Sequence, residues 1–363
     1  MVSANAYPVM GGVETHVQEV APRVAAAGFD VTILTTDRSG KLAAAESLEG
    51  VPARRVRAWP RKRDWYLAPR LYPLVSRADW DIVHCQGYHT FVPPLAMIAA
   101  ARARIPYVLT FHSGGHASAA RNRMRGLQRR MMRPLLARAH KLIAVSEFEA
   151  EFFSTNLSIP ASHFVTIPNG ASFPEQPDPV VIDDTRPLIL SVGRLERYKG
   201  HHRLIEALPT LVERVPGARL RIIGAGDYEP ELRRMAAASP LADRIEIGRI
   251  DPVDRKQMAT AMASASLVCL LSEYEAHPVA VTEALGLGRR VLVADTSGLS
   301  EIARRGLARA IPIDATTEQV ATAIAEQLDP PEPAEVRLPT WDECAAGIVD
   351  VYREVLARSG RRS

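Results

Sequence analysis

Cysteine is scarce: Cys85, Cys269 and Cys344 are the only three in 363 residues. They are too few and too scattered for a disulfide framework or a zinc site, so a reduced, cytoplasmic compartment is expected. No apolar run approaches the roughly 18 residues of a membrane span, and no leader peptide is visible before the first predicted helix. The sequence has neither a G-x-G-x-x-G fingerprint nor a G-x-x-x-x-G-K-[S/T] phosphate loop, and no cluster with metal-ligand spacing. Aromatic residues make up only 6%, and no nucleic-acid recognition motif or aromatic-rich sheet signature appears.

What is present is an ordinary globular composition, 47% hydrophobic and 24% charged, in a chain long enough for about two domains. The net charge of +4 hides an asymmetry. Residues 1–172 carry 21 Lys and Arg against 12 Asp and Glu; the remainder carries 24 against 29. Most of the excess lies in residues 51–141, where 18 basic residues face only Asp64, Asp79 and Asp81. Such a field favours an anionic partner.

Strand and helix signals alternate in two series. Gly11-Gly12 opens a predicted helix with Val13, Val17, Val20, Ala21 and Val24 on one face, and Gly28 ends it. Short apolar runs at Val31–Leu34, Ile82–Cys85, Tyr107–Thr110, Leu142–Val145 and Phe164–Ile167 read as parallel strands covered on both faces. Residues 171–187, rich in proline and acid, read as a linker. A second series follows at Leu188–Val192, Leu220–Ile223, Ile245–Ile247, Leu267–Leu271 and Val291–Ala294. The expected fold class is α/β, two doubly wound parallel-sheet domains facing a cleft: residues 1–172 with a last helix at about 341–358, and residues 173–340. That helix follows a second Pro/Glu-rich stretch at 329–339 and is expected to pack back on the first domain. Only Met1–Ala4 stand before the Pro8–Gly12 loop, so either the chain starts upstream of Met1, the reading favoured here, or this sheet edge is thin.

Ligands of open α/β sheets bind at the carboxyl ends of the strands, and three clusters follow predicted strands there. In Gly193-Arg194-Leu195-Glu196-Arg197-Tyr198-Lys199-Gly200, the planar fork of Arg194 and the compact charge of Lys199 suit a diphosphate; two solvated surface charges would look the same. Gly224-Ala225-Gly226-Asp227 lets backbone approach a ligand closely, or simply forms a tight turn into a helix at Glu229. The third cluster runs from Ser272 to Gly286. Pro278 suits a first helical turn, and Glu275 and Glu283 bracket a helix N-terminus whose N–H groups suit a phosphate. Carboxylates accept from sugar or ribose hydroxyls. The plainer alternative makes Glu275 a cap and Glu283 a solvated residue, but Glu283 is flanked by Val279, Ala280, Ala284 and Leu285, which places it near a buried face. In the first half, Gly12 can present helix N–H groups, and His112 follows a strand and precedes Ser113-Gly114-Gly115-His116. His84 and His116 read as satisfied polar residues.

The ordered set of GGVETHV at 11–17, DIVH at 81–84, LTFH at 109–112, AVS at 144–146, IPNG at 167–170, SVGRLERYKG at 191–200, IIGAGDYEPEL at 222–232 and the E-x7-E of Glu275 and Glu283 resembles the family 4 retaining glycosyltransferases of the GT-B fold. The resemblance covers nearly the whole chain. It implies a metal-independent hexosyl transfer, with no cofactor, from a nucleotide diphosphate sugar (UDP- or GDP-linked) to an acceptor hydroxyl on a lipid-linked, polysaccharide or small-molecule glycoconjugate. It implies that Arg194 and Lys199 bind the diphosphate, Glu283 the ribose and Glu275 the transferred sugar. Gly12 supplies a backbone donor, His112 a sugar contact, and Ile250 lies near the base. Gly193, Gly224, Gly226, Ala276, His277, Pro278 and Val279 line the donor site. Where many members carry Gly-Phe after the first carboxylate, this chain has Ala276-His277-Pro278, which leaves the sugar open. Domain closure about 171–187 would exclude water.

Residues 121–138 mix arginines with Met124, Leu127, Met131, Met132, Leu135 and Leu136. They read as a basic amphipathic helix interrupted by Pro134, able to lie on an anionic membrane at the inner face of the plasma membrane, or as a solvated arginine face over a core stripe. Three rival readings remain at this point: a GT-B relative such as a sugar-nucleotide epimerase, against which the GRLERYKG segment and E-x7-E argue; a basic nucleic-acid-binding protein, for which no motif is present; and a non-catalytic sugar-nucleotide-binding relative, against which the retained donor-side polar residues argue.

Overall fold

The apolar runs become short buried strands because each is flanked by turn residues and covered on both faces by helices. A computed structural model describes residues 1–9, 11–61, 66–112, 119–171, 177–251, 253–329 and 337–360, with 119–125 by their backbone alone. Contacts divide the chain into two compact units. One comprises Met1–Ser113, Ala120–Gly170 and Pro339–Ser363, and the other is built on Ala171–Leu338.

The first unit holds β1 (Val2–Ser3), β2 (Ile33–Asp37), β3 (Ala45–Leu48), β4 (Val51–Arg57), β5 (Val83–Gln86), β6 (Tyr107–Thr110), β7 (Lys141–Ala144) and β8 (Phe164–Thr166). Their order is β3-β4-β2-β1-β5-β6-β7-β8, parallel throughout except for the β3–β4 hairpin. The short first strand is therefore not an edge: it pairs with β2 on one side and β5 on the other. The strand expected at Val31–Leu34 falls later, at Ile33–Asp37, because polar residues are buried there too. Thr35 and Thr36 are 0% and 5% exposed, and Thr36 Oγ1 donates to the Ala4 carbonyl at 2.7 Å.

Alternation along each strand supplies two cores, one per face. Leu109 and Leu142 join Met97, Phe111 and Phe153 on one side. Val108 and Ile143 join Val17, Val20 and Val24 of the helix Gly12–Ala26 on the other, together with Ile348 and Tyr352 of the last helix, Trp341–Ser359. That last helix starts at a capping box between Thr340 and Glu343. The basic helix spans Ala119–Leu136 and runs through Pro134 in its last turn rather than being interrupted by it, because the bond from Ala137 N–H to the Arg133 carbonyl carries the backbone on.

The second unit holds β9 (Leu188–Val192), β10 (Arg219–Ile223), β11 (Ile245–Gly248), β12 (Leu267–Leu270), β13 (Val291–Ala294) and β14 (Arg309–Ile311). The order is β11-β10-β9-β12-β13-β14, all parallel. The direction of strand order reverses between β9 and β12, the point at which doubly wound sheets bind ligands.

Candidate active site

Two loops flank that reversal in the second unit. After β9, Leu195 and Tyr198 are buried, at 0% and 2% exposure, and a single 3-10 turn at Arg197–Lys199 ends in Gly200 at φ +74°. A side-chain carbon on Gly200 would lie 2.1 Å from the Leu271 carbonyl oxygen, so only glycine lets this loop close on the end of β12. That approach brings Lys199 to Glu275. Lys199 Nζ forms an ion pair with Glu275 Oε1, with only about a tenth of either side chain exposed (12% and 11%). Ser272 Oγ donates to the same carboxylate oxygen at 2.9 Å. The loop itself is pinned by the helix Ser297–Arg304: Glu275 N–H donates to Ser297 Oγ at 2.8 Å, and Gly298 N–H donates to the Glu275 carbonyl at 2.8 Å.

Arg194 is exposed. It pairs with Glu196, and its Nη2 donates to the Tyr198 hydroxyl at 2.6 Å. Its guanidinium carbon lies 5.9 Å from the Tyr198 ring centre, and Lys199 Nζ lies 5.3 Å from the same centre. Both cations expected to bind a diphosphate therefore lie close to the ring of Tyr198. His201 braces the loop from beneath, with Nε2 3.2 Å from the Arg194 carbonyl and Nδ1 2.9 Å from Ser191 Oγ. Burial pushes its pKa down to about 4, so it stays neutral.

Glu283 lies on the helix Val279–Gly286, for which Pro278 is the N-cap rather than a residue of the first turn. Glu283 is 5% exposed, as its apolar flanks predict, and forms an ion pair with Arg255. Sequence reasoning missed Arg255, which no motif marks and which lies 28 residues away. Gly193, Gly224 and Gly226 are brought together by backbone rather than by charge. Gly193 N–H donates to the Ile223 carbonyl at 3.0 Å, and Leu195 N–H donates to the Ala225 carbonyl at 2.9 Å. A side chain on Gly224 would lie 1.9 Å from the Gly193 oxygen, so these glycines first serve to zip the β9 and β10 loops together. Ile250 and Ala276 are buried, at 6% and 5% exposure, while His277 and Val279 are half-buried.

In the first unit, Gly12 is the exposed first residue of its helix. His112, after β6, bonds through Nε2 to Gln86 Oε1 at 2.9 Å. The ring of His16 meets it edge-on at 4.7 Å. His16 Nδ1 donates to Asn169 Oδ1 at 2.8 Å, and burial pushes its pKa down to about 4. His16, Asn169 and Gln86 were not singled out from sequence, although the first two stand in motifs quoted above. His84 is 1% exposed and hydrogen-bonded, whereas His116 lies outside the described residues. Among the described residues, no group of three or more His, Cys, Asp or Glu side chains could hold a metal ion.

Residues 10–172 match the family described as Glycosyltransferase Family 4, and residues 172–337 match Glycosyl transferases group 1. A phosphatidyl-myo-inositol mannosyltransferase of Mycolicibacterium smegmatis is 28% identical over 341 residues, covering 89% of this chain and 83% of that protein. A GDP-mannose:cellobiosyl-diphosphopolyprenol alpha-mannosyltransferase of Xanthomonas oryzae is 27% identical, over 80% of this chain and 76% of its own. Among solved structures, sucrose-phosphate synthase of Thermosynechococcus elongatus superposes with a TM-score of 0.74 at 19% identity, covering 98% of each chain. HepE of Anabaena, solved in complex with UDP and glucose, gives 0.70 at 19% identity, over 99% of this chain and 98% of its own. The two matched segments follow one another along a chain with two doubly wound sheets, and the protein belongs to glycosyltransferase family 4, with the GT-B fold.

Proposed function

We propose that this enzyme transfers a hexosyl group from a nucleoside diphosphate sugar to an acceptor hydroxyl, with retention at the anomeric carbon and without a metal ion. The observation that carries the reading is the contact of Lys199 with Glu275 across the strand-order reversal of the second unit. One cation and one hydroxyl-accepting carboxylate meet where a doubly wound sheet receives its ligand. Lys199 and Arg194 are assigned to the diphosphate, Glu275 to the transferred sugar, Glu283 to the ribose, and Ile250 to the neighbourhood of the base. Gly193, Gly224, Gly226 and residues 276–279 would line the donor. For Gly12 and His112, in the first unit, the roles come from the resemblance: a backbone contact to phosphate and a contact to the sugar.

Departure of the diphosphate builds negative charge on phosphate and positive charge on the sugar ring. Arg194, Lys199 and the N-terminus of the helix Val279–Gly286 would stabilise the former. The departing phosphate oxygen takes the acceptor's proton on the same face, so no second carboxylate is required as nucleophile. The relatives named for mannosyl transfer make GDP-mannose the first donor to test, with UDP-sugars second, and point to a sugar or lipid-linked acceptor.

The basic helix Ala119–Leu136 supports a contact with an anionic membrane at its cytoplasmic face. Leu127 and Met131, one turn apart, are 62% and 71% exposed, and Arg130 between them is exposed as well. No helix among the described residues is long and apolar enough to cross a membrane.

The test is turnover. A charge-assisted contact is worth roughly 1.5–3 kcal/mol, so Lys199→Ala should slow release of nucleoside diphosphate from the accepted donor by about 10- to 150-fold. Unchanged turnover would defeat the assignment.

A further inference from the structure

We propose that Gln86 is a positioning residue that fixes which ring nitrogen of His112 carries the proton, and that Tyr352 of the last helix acts on His112 through it. The inference rests on the transferase reading only where a rate is measured.

His84 and Gln86 alternate on β5 and so share one face. Thr110 lies opposite Gln86 on β6, and Tyr352 reaches the same place from the helix Trp341–Ser359. His84, Gln86, Thr110 and Tyr352 are all buried, at 1%, 2%, 0% and 4% exposure. Their contacts form a chain. Tyr352 Oη is 2.7 Å from His84 Nδ1, and His84 Nε2 is 2.7 Å from Thr110 Oγ1 and 3.3 Å from Gln86 Nε2. Gln86 Oε1 is 2.9 Å from His112 Nε2.

The direction of the chain follows from what each atom is able to do. An amide NH2 donates and an amide oxygen accepts. Gln86 Nε2 therefore donates to a bare His84 Nε2, so the His84 proton sits on Nδ1 and is donated to the Tyr352 oxygen. At its other end, Gln86 Oε1 requires a proton on His112 Nε2. His84 is held neutral because burial pushes its pKa well below the ordinary value, so it keeps one donor and one acceptor. In a neutral His112 ring the lone pair then lies on Nδ1. His16, clamped by Asn169, fixes where the His112 ring lies; Gln86 fixes its tautomer. With the Gln86 amide turned over, every donor and acceptor in the chain would exchange, and His112 would carry its proton on Nδ1. The two arrangements are therefore distinguishable.

The experiment uses the full chain with 15N-labelled histidine rings, long-range proton–nitrogen spectra, and His112→Asn to assign the signal. The expected result is His112 protonated on Nε2 in the wild type. A mixture of tautomers is expected in Gln86→Leu, with a smaller shift in Tyr352→Phe that disappears in the Gln86→Leu background. An Nδ1–H tautomer in the wild type would overturn the proposal whether or not any variant folds, and so would an unchanged His112 signal in Gln86→Leu. In turnover, Gln86→Leu is expected to lower kcat about tenfold, the loss of one hydrogen bond, with donor KM unchanged. A shifted tautomer with unaltered kcat would leave the positioning role standing and would instead refute the assignment of His112 as a sugar contact.

Discussion

Replacing Lys199 by methionine keeps the length of the side chain and removes its charge from Glu275, which is 9% exposed. Removing one partner of a buried ion pair costs about 3–5 kcal/mol. Here about a tenth of each side chain remains exposed and Ser272 Oγ still donates to the carboxylate, so about 2–3 kcal/mol is the expected loss. For a unit of this size that lowers the unfolding midpoint by about 5–10 °C. Glu275→Gln in the same background removes the stranded charge and keeps an acceptor for Ser272. The double variant is expected within about 1 kcal/mol of the wild type, a coupling of at least about 1–2 kcal/mol. Chemical denaturation of the four proteins of the cycle measures it. Additive losses, or a Lys199→Met protein as stable as the wild type, would refute the buried pair as the organiser of this loop.

Gly200→Ala puts a carbon 2.1 Å from the Leu271 oxygen at φ +74°, whereas Gly288→Ala, at φ +69°, meets nothing within 4 Å. Thermal unfolding should show a loss of about 1 kcal/mol at Gly288, the left-handed backbone penalty alone, and clearly more at Gly200; equal losses would contradict the close approach. The pKa of His201 is pushed down by burial to about 4, against about 6.5 in the unfolded chain. Unfolding therefore takes up a proton below pH 6.5: stability is level above that pH and falls toward pH 4, by about 2 kcal/mol at pH 5 for this histidine. His201→Gln should flatten the dependence between pH 6.5 and 5 by about one proton, as measured by denaturation at several pH values. Leu127→Glu with Met131→Glu, both exposed, should leave the unfolding midpoint unchanged and reduce flotation with anionic liposomes; equal flotation would remove the membrane contact.

The strands that sequence reasoning located best, Leu188–Val192, Tyr107–Thr110 and Val291–Ala294, are uninterrupted or nearly uninterrupted apolar runs. It missed β4, whose sequence VPARRVR carries charge into the sheet. Arg55 is only 6% exposed because Glu46 and the Tyr7 carbonyl receive its guanidinium, and no local pattern announces such a partnership. The same physics hid part of the site. Arg194, Lys199, Glu275 and Glu283 were legible because they stand in motifs just beyond strand ends. Arg255, Ser297 and the Gln86–His84–Tyr352 chain were not, because their meaning lies in contacts between residues distant in sequence. Arg194 was expected to share one anion with Lys199. The structure brings both cations to the ring of one tyrosine and adds acidic partners, Glu196 for Arg194 and Glu275 for Lys199, so sequence spacing conveyed their neighbourhood but not their partners.

Calorimetric titration of the full chain with GDP and with UDP, repeated on an Arg194→Ala/Lys199→Ala variant, tests the donor-site assignment most directly. One of the two nucleotides should bind the wild type, and loss of both cations should weaken that binding by about 100-fold or more. A variant that unfolds like the wild type and binds the same nucleotide with undiminished affinity would contradict the account.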